Sequence, residues 1–375
     1  MLKFHSLKVA QVSPDAEDAV AIALEVPEAL RAEYRGSPGQ HVVVRATVDG
    51  EDIRRTYSLV NAPGEVPLRI VPRVHAQGRM SRHLAEGLRA GDLLEVLPPN
   101  GSFIPRQVSP GAATFVAFAA GCGITPVLAV ARALLAGGAG RVLVFYGNTG
   151  SARAMCLEEL LALKDRYLER LSVHFVMSRE PQEVELYNGR IDAARVRRFA
   201  TTLFRPEEVR EYFVCGPGDM IEQVNATLRE LGVEAARVHC EHFTLATAGE
   251  PAGRSGAAAP EAVAPEAAAP AAQRAAPTAG AGAAEVTVRM DGRRRSFTMK
   301  MDDETVLDAA ARAGLELPFS CRAGVCSTCR TKVISGAVEM AQNYALEDWE
   351  LEQGYVLACQ SRVKTPSLEL DYDEK

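Results

Sequence analysis

Four cysteines near the C-terminal end carry the sharpest chemical signal. They run Cys321-x4-Cys326-x2-Cys329, with Cys359 after 29 further residues. Three thiolates on one tight loop can bind a soft transition metal together, and a distant fourth closes the site. The C-x4-C-x2-C…C spacing is that of a [2Fe–2S] cluster. Gly324, Ser327 and Thr328 are small, so backbone amides can point at the sulfurs. Zinc is the rival, but zinc sites favour paired knuckles of about two to four intervening residues on each side. Here the fourth cysteine stands alone, and four purely structural thiols are the plainest alternative. Cys321, Cys326, Cys329 and Cys359 are the expected metal ligands.

Arg55-Thr56-Tyr57-Ser58 is a second constellation. Tyr57 can lie on the face of an isoalloxazine ring. Ser58 can hydrogen-bond the ring edge, and Arg55 can neutralise phosphate as a bidentate donor. Alone the string is weak, because a surface tyrosine beside a charge is ordinary. About twenty residues on, Gly78-Arg79-Met80-Ser81 opens a helix. Small and hydroxylated residues there suit a pyrophosphate, since free amides and the helix dipole face the anion.

A third set suits a nicotinamide coenzyme. Gly121-Cys122-Gly123-Ile124-Thr125-Pro126 is a glycine-rich turn between a strand and a helix, where phosphate can approach backbone amides. It departs from G-x-G-x-x-G, with Pro126 at the third position. Cys215-Gly216-Pro217-Gly218-Asp219-Met220 ends a late strand and opens the last helix before the alanine-rich segment. No acidic residue obviously caps a ribose after the second strand of this region; Asn148 and Arg153 stand there instead, and Ser178-Arg179 follows the third. Arginine suits a 2′-phosphate dianion, with a solvated surface charge as the alternative. Cys156 and Cys240 read as simple packing.

These groups need three scaffolds. The 375 residues predict two or three domains. Short β runs at Leu7–Val12, Val20–Val26, His41–Thr47, Arg55–Val60 and Leu68–Pro72, with a helical stretch at Met80–Leu88, predict an antiparallel β-barrel over 1–107. Over 108–247 the pattern alternates: strands at Thr114–Ala119, Arg141–Tyr146, Leu171–Met177 and Tyr212–Cys215, helices at Ile124–Leu135, Ala154–Leu163 and Met220–Leu231. That predicts an α/β parallel-sheet domain. Residues 248–284 hold 18 Ala, 5 Pro and 5 Gly. They cannot bury enough surface to offset their ordering entropy, so a semi-stiff, mostly disordered linker is expected. Residues 285–375 form a third unit opening with a hairpin around Asp291-Gly292.

Net charge is −6, so no basic surface invites nucleic acid. No apolar run reaches the ~18 residues of a membrane span. The polar N-terminus lacks a signal-peptide core, which predicts a cytoplasmic protein. Residues 285–375 carry 12 basic and 16 acidic side chains. Glu347, Asp348, Glu350 and Glu352 near the last cysteine form an acidic face, suited equally to a basic partner and to mere solubility.

The stretch from Ser320 to Arg330, with Gly354-Tyr-Val-Leu-Ala-Cys359, resembles a plant-type ferredoxin domain, which implies an α+β β-grasp fold with a helix at Val306–Ala313. The Arg55–Ser58 and Gly78–Ser81 elements together resemble the ferredoxin–NADP reductase superfamily. That resemblance implies that the first element binds the flavin ring and phosphate and the second the pyrophosphate. It favours FAD over FMN, and NADPH over NADH through a Ser178-Arg179 pair at the 2′-phosphate. It also implies that Pro126 is the superfamily's own variation, that Cys122 replaces a usual Thr or Ser, and that nicotinamide meets flavin at Cys215-Gly216-Pro217. Tyr57, Ser58 and Cys215 are then the catalytic candidates. Gly121, Gly123, Ile124, Thr125, Pro126, Asn148, Ser178, Arg179 and Met220 join the coenzyme site.

NAD(P)H delivers two electrons as a hydride, a [2Fe–2S] cluster accepts one, and a flavin bridges the mismatch. The order flavin, nicotinamide, ferredoxin resembles reductase components of multicomponent oxygenases. Phe145-Tyr-Gly-Asn148, the Leu163–Leu171 stretch and Glu185-Leu-Tyr-Asn-Gly-Arg-Ile191 resemble the reductase family of ring-1,2-phenylacetyl-CoA epoxidases. The implied partner is a di-iron oxygenase component acting on an aromatic thioester. A reductase for a Rieske ring hydroxylase, a ketosteroid hydroxylase or a fatty-acid hydroxylase is the alternative, and a redox-sensing regulator the third reading.

Overall fold

A computed structural model describes residues 3–106, 108, 111–138, 140–243, 282–346 and 348–374. The linker expected over 248–284 falls largely outside these described residues.

Six antiparallel strands make the first unit: β1 His5–Ala16, β2 Ala19–Glu25, β3 His41–Val48, β4 Glu51–Ser58, β5 Leu68–Ile70 and β6 Leu93–Val96. Their order is β4-β3-β6-β1-β2-β5. A bridge between Leu59 and Ile70 joins the two ends, closing a barrel around Leu7, Ile22, Val44 and Val96. Strands β3 and β4 meet at Asp49-Gly50, both at positive φ (52° and 79°), the geometry that short hairpins favour. The stretch expected to be helical is a single α turn, α1 Arg79–Arg82, running into a wider π-type turn at His83–Gly87.

The second unit has five parallel strands in the order β11-β10-β7-β8-β9. They are β7 Thr114–Ala120, β8 Arg141–Asn148, β9 Leu171–Met177, β10 Val209–Gly216 and β11 Val238–His242. The helices are α2 Ile124–Ala136, α3 Leu157–Arg166, α4 Ala193–Thr202 and α5 Gly218–Glu230. Helix α3 starts at Leu157, three residues later than expected, because Cys156 adopts φ 54° and breaks the chain direction there. Its amide donates to Asp15 of the barrel at 2.9 Å. Helix α2 buries 11 of its 13 residues. Seven of them, from Ile124 to Leu135, share one apolar cluster with Val60, Val71 and Phe103 of the barrel, so α2 is a common core element of both units.

The third unit is a mixed sheet, β13-β12-β18-β14-β16, with a two-stranded β15-β17 sheet. Its strands are β12 Ala283–Met290, β13 Arg293–Lys300, β14 Arg330–Ser335, β15 Val338–Met340, β16 Tyr355–Leu357, β17 Ser361–Val363 and β18 Ser367–Asp371. Helix α6 Val306–Arg312 packs Val306, Leu307, Ala309 and Ala310 inward, and α7 is Asp348–Glu352. The β12–β13 hairpin turns at Asp291-Gly292, again with both φ positive. One expectation needs correction. Glu350 does not belong to an acidic face: it is 2% exposed and pairs with Arg330 at 2.5 Å. A buried carboxylate needs such a partner.

A buried polar pair staples β10 to β11. Glu211 accepts from Arg106 N at 3.0 Å and lies 2.8 Å from His239 Nε2. Burial works to raise the Glu211 carboxyl, but these hydrogen bonds outweigh it and hold it below 4.5. A depressed carboxyl stabilises the fold above its ordinary value, and that stability is lost as pH falls through the folded value. Glu211→Gln is expected to lower stability at neutral pH by about 1–3 kcal/mol and to flatten the acid limb of the melting temperature against pH. Unchanged melting curves across that limb would count against this role.

Candidate functional site

The flavin motif lies at the end of β4, on the seam between the first two units. Ser58 is 4% exposed, and its hydroxyl donates to Glu241 at 3.3 Å. The other Glu241 oxygen lies 3.3 Å from His41 Nδ1. Among the described residues His41 Nε2 is buried with no partner. This Ser58–Glu241–His41 row joins two barrel strands to the last strand of the nucleotide unit. Glu241 was not legible in the sequence. Its strand β11 is short and polar, and Ser58 stands 183 residues away. Burial pushes the Tyr57 phenol well above its ordinary value, with Arg55 pulling it down, so the ring is neutral and largely apolar in character. Among the described residues the Arg55 guanidinium makes one hydrogen bond, to Arg54 O at 2.7 Å, which leaves most of its donor fork available.

The Gly78–Ser81 turn is compact. Ser81 Oγ donates to Gly78 O and accepts from His75 N, at 3.1 and 3.2 Å. A Cβ on Gly78 would stand 2.4 Å from that hydroxyl. Met80 is buried in the barrel core, so what the turn presents is backbone.

The two glycine-rich turns of the nucleotide unit meet at the C-terminal ends of adjacent strands β7 and β10. Strand order reverses there, the usual binding crevice of open α/β sheets. A Cβ on Gly123 would lie 2.1 Å from Cys215 O, and one on Gly216 3.2 Å from Ala120. Gly121 sits at φ 55°. Ile124, Thr125 and Pro126 are buried in the first turn of α2, and the Thr125 hydroxyl is committed to Cys122 O at 2.9 Å. Pro217 is exposed before α5, while Met220 packs on Gly216. Burial, then the nearby Glu241 charge, pushes the Cys215 thiol far up. It is a neutral, apolar group beside the Ser58–Glu241 row. Phe243, just beyond β11, is partly buried against the same cluster as Val60 and Cys215.

Asn148, Ser178 and Arg179 gather at the C-terminal ends of β8 and β9. Ser178 N and Oγ both donate to Asn148 O, at 2.9 and 3.3 Å. Asn148 Nδ2 is buried without a partner among the described residues. Ser178 and Arg179 are exposed. Arg153 is not available in the same way, because it pairs with Asp18 of the barrel.

In the third unit the four thiols form two pairs. Cys321 is coupled electrostatically to Cys326, and Cys329 to Cys359. The Cys321 thiol is drawn down to about 6, first by Cys326 and then, against burial, by the amides of Ala323, Val325 and Cys326. Ala323 N approaches Cys321 Sγ at 3.3 Å. Cys359 is likewise held low by Cys329 and by Gln360. Cys326 and Cys329 are pushed up by these same interactions and by burial. Among the described residues no group of three or more His, Cys, Asp or Glu side chains is placed to hold a single metal ion. Two pairs with amide donors suit a two-iron cluster, in which each metal takes two thiolates. The buried hydroxyls of Ser320 and Tyr372 lack partners among the described residues, and the Cys329 and Cys359 charges act on Tyr372.

Three sites, one each for flavin, nicotinamide and cluster, define a modular electron-transfer oxidoreductase. Family models agree. An oxidoreductase FAD-binding domain matches residues 8–104, an oxidoreductase NAD-binding domain 118–226, and a 2Fe-2S iron-sulfur cluster binding domain 288–364. The chain is 37% identical to a subunit of the 1,2-phenylacetyl-CoA epoxidase of Escherichia coli, over 100% of this chain and 99% of that one. It is 32% identical to the ferredoxin reductase component of 3-ketosteroid-9-alpha-monooxygenase from Rhodococcus rhodochrous, over 98% and 96%. The fold is that of phthalate dioxygenase reductase, with a TM-score of 0.56 at 23% identity, covering 98% of each chain. The chain belongs to this family of FAD-, NAD- and [2Fe–2S]-binding reductases. No helix among the described residues is long and apolar enough to cross a membrane.

Proposed function

We propose that the chain is the reductase component of a cytoplasmic di-iron epoxidase acting on phenylacetyl-CoA, drawing electrons from NADPH. When bound, the coenzyme supplies hydride, FAD accepts it, and the cluster passes electrons on singly to the oxygenase component. One observation carries the reading: strand β4 touches all three units. It bears Tyr57 and Ser58, meets Glu241 of the nucleotide unit through Ser58, and meets Glu316 of the third unit through Arg54.

In this reading Tyr57 covers the flavin ring, Ser58 holds its edge, and Arg55 with the Gly78–Ser81 backbone binds the phosphates. Gly121, Gly123 and Gly216 let the coenzyme approach the backbone, and Cys215 keeps the contact with the flavin dry and neutral. Cys321 and Cys326 hold one iron, Cys329 and Cys359 the other. Domain limits of 1–107, 108–247 and 285–375, with a tether over 248–284, match these duties. The identity to the epoxidase component over the whole chain supports the choice of partner. The ketosteroid monooxygenase component of Rhodococcus rhodochrous, at 32%, supports the second reading, a reductase for a ketosteroid hydroxylase.

Anaerobic titration of the holoprotein with NADPH is expected to bleach the flavin and then the iron–sulfur absorption. Reconstitution with a phenylacetyl-CoA epoxidase oxygenase should yield epoxide, and turnover only with a steroid oxygenase would select the second reading. Arg179→Ala is expected to raise KM for NADPH about tenfold, the worth of one charge-assisted phosphate contact, and to leave KM for NADH nearly unchanged. Equal effects on both coenzymes would remove the 2′-phosphate contact.

A further inference from the structure

Arg54 and Arg55 are neighbours on β4, and strand alternation sends them to opposite faces. Arg55 shares the face of Tyr57. Arg54 faces the third unit and is 8% exposed. Its guanidinium lies 4.2 Å from the ring centroid of Phe319 and 5.4 Å from that of Phe4, so one ring from the third unit and one from the barrel flank it. Nη2 donates to Glu316 of the third unit at 2.8 Å and to Asp52 of its own strand at 2.9 Å. Phe319 also carries Arg322, 4.6 Å away. Phe319 and Arg322 flank Ser320-Cys321, so the contact ends at the cluster loop.

The geometry points to Arg54 as a reversible latch, a positioning residue that docks the cluster loop beside the flavin strand and releases it. Three features make release inexpensive. Asp52 keeps its pair with Arg54 when Glu316 leaves, so no guanidinium is stranded without a counter-charge. The Glu316 side chain is 72% exposed, so salt screens its half of the latch. A cavity of about 1210 Å³ lined by Lys3, Arg45, Met290 and Arg295 also lies between the two units beside the latch, so this part of the seam is not packed. Among the described residues the units also meet where Ser102 Oγ donates to Ala345 O at 3.4 Å and where the His242 and Tyr344 rings form a tilted pair. The latch as a device for electron transfer rests on the function proposed above; its action on domain position does not.

The full-length holoprotein should be compared with Arg54→Ala, Arg54→Lys, Glu316→Ala and the double exchange Arg54→Glu/Glu316→Arg. Small-angle scattering reads domain position, and anaerobic stopped-flow reads flavin and iron–sulfur bleaching separately. Arg54→Ala is expected to enlarge the radius of gyration and slow iron–sulfur bleaching about tenfold, the weight of a cation–π contact plus an ion pair. Flavin bleaching should keep its rate. Glu316→Ala, at an exposed position that cannot unfold the chain, should act in the same direction. Arg54→Lys and the double exchange should restore part of the effect, and raising salt from about 0.05 to about 0.5 M should mimic the loss. Wild-type scattering in both alanine variants would overturn the latch. Absence of nucleotide-driven bleaching in the wild type would instead overturn the proposed function, with scattering still reporting on Arg54.

Discussion

A Cys359→Ala protein is expected to purify with full flavin absorption, near-zero iron and acid-labile sulfide, and no broad visible cluster bands. Cys359 is the one thiol of the four that comes from outside the loop, at the turn after β16, and it is paired with Cys329. Its loss leaves the second metal with a single thiolate. Even the outer partners of metal ligands are worth about 10–100-fold in affinity, so loss of a ligand should cut cluster retention by at least about 100-fold. Alanine fits the same 5%-exposed position, so the sheet should survive. Coenzyme-driven ferricyanide reduction through the flavin should persist, while reduction of an acceptor served by the cluster fails. Normal iron and sulfide in this variant would refute the ligand assignment.

Gly123→Ala should be nearly as damaging at the other end of the electron path. The backbone there is ordinary, with φ −61°, so conformation alone permits alanine. Space does not: the new methyl would stand 2.1 Å from Cys215 O, 2.5 Å from its carbonyl carbon and 2.9 Å from Gly216 N. All three are backbone atoms of β10, which is held on both sides by β7 and β11 and cannot swing away. Overpacking of this kind costs about 1–3 kcal/mol. The two turns must splay, and kcat/KM for the coenzyme should fall about tenfold to a hundredfold with a lower melting temperature and unaltered flavin content. Steady-state kinetics with ferricyanide and a thermal melt suffice; wild-type values in both would show that the turns relax freely.

Legibility followed distance along the chain. The cysteine spacing, the Arg55–Ser58 string and the Gly121 and Cys215 turns are local patterns tied to local geometry, and all were readable. The parallel strands with long apolar runs, β7 to β10, were readable for the same reason. Strand β11 was not, because His239 and Glu241 are buried by partners 28 and 183 residues away, and nothing nearby marks them. Helix α4 was overlooked, although Asp192 caps it by accepting from Arg195 N, and Val196, Phe199 and Ala200 line one face. Glu350 looked like surface because its partner Arg330 lies across a turn of the fold. Arg54 and Glu316, 262 residues apart, are invisible to any windowed reading.

Helix α2 is enclosed by the barrel on one side and the parallel sheet on the other. A cut between the flavin and nucleotide halves would strip a shared keystone. The iron–sulfur unit has its own closed core. Gene fusion and shuffling should accordingly treat residues 3–243 as one indivisible cassette and residues 282–374 as a cartridge that can be attached before or after it.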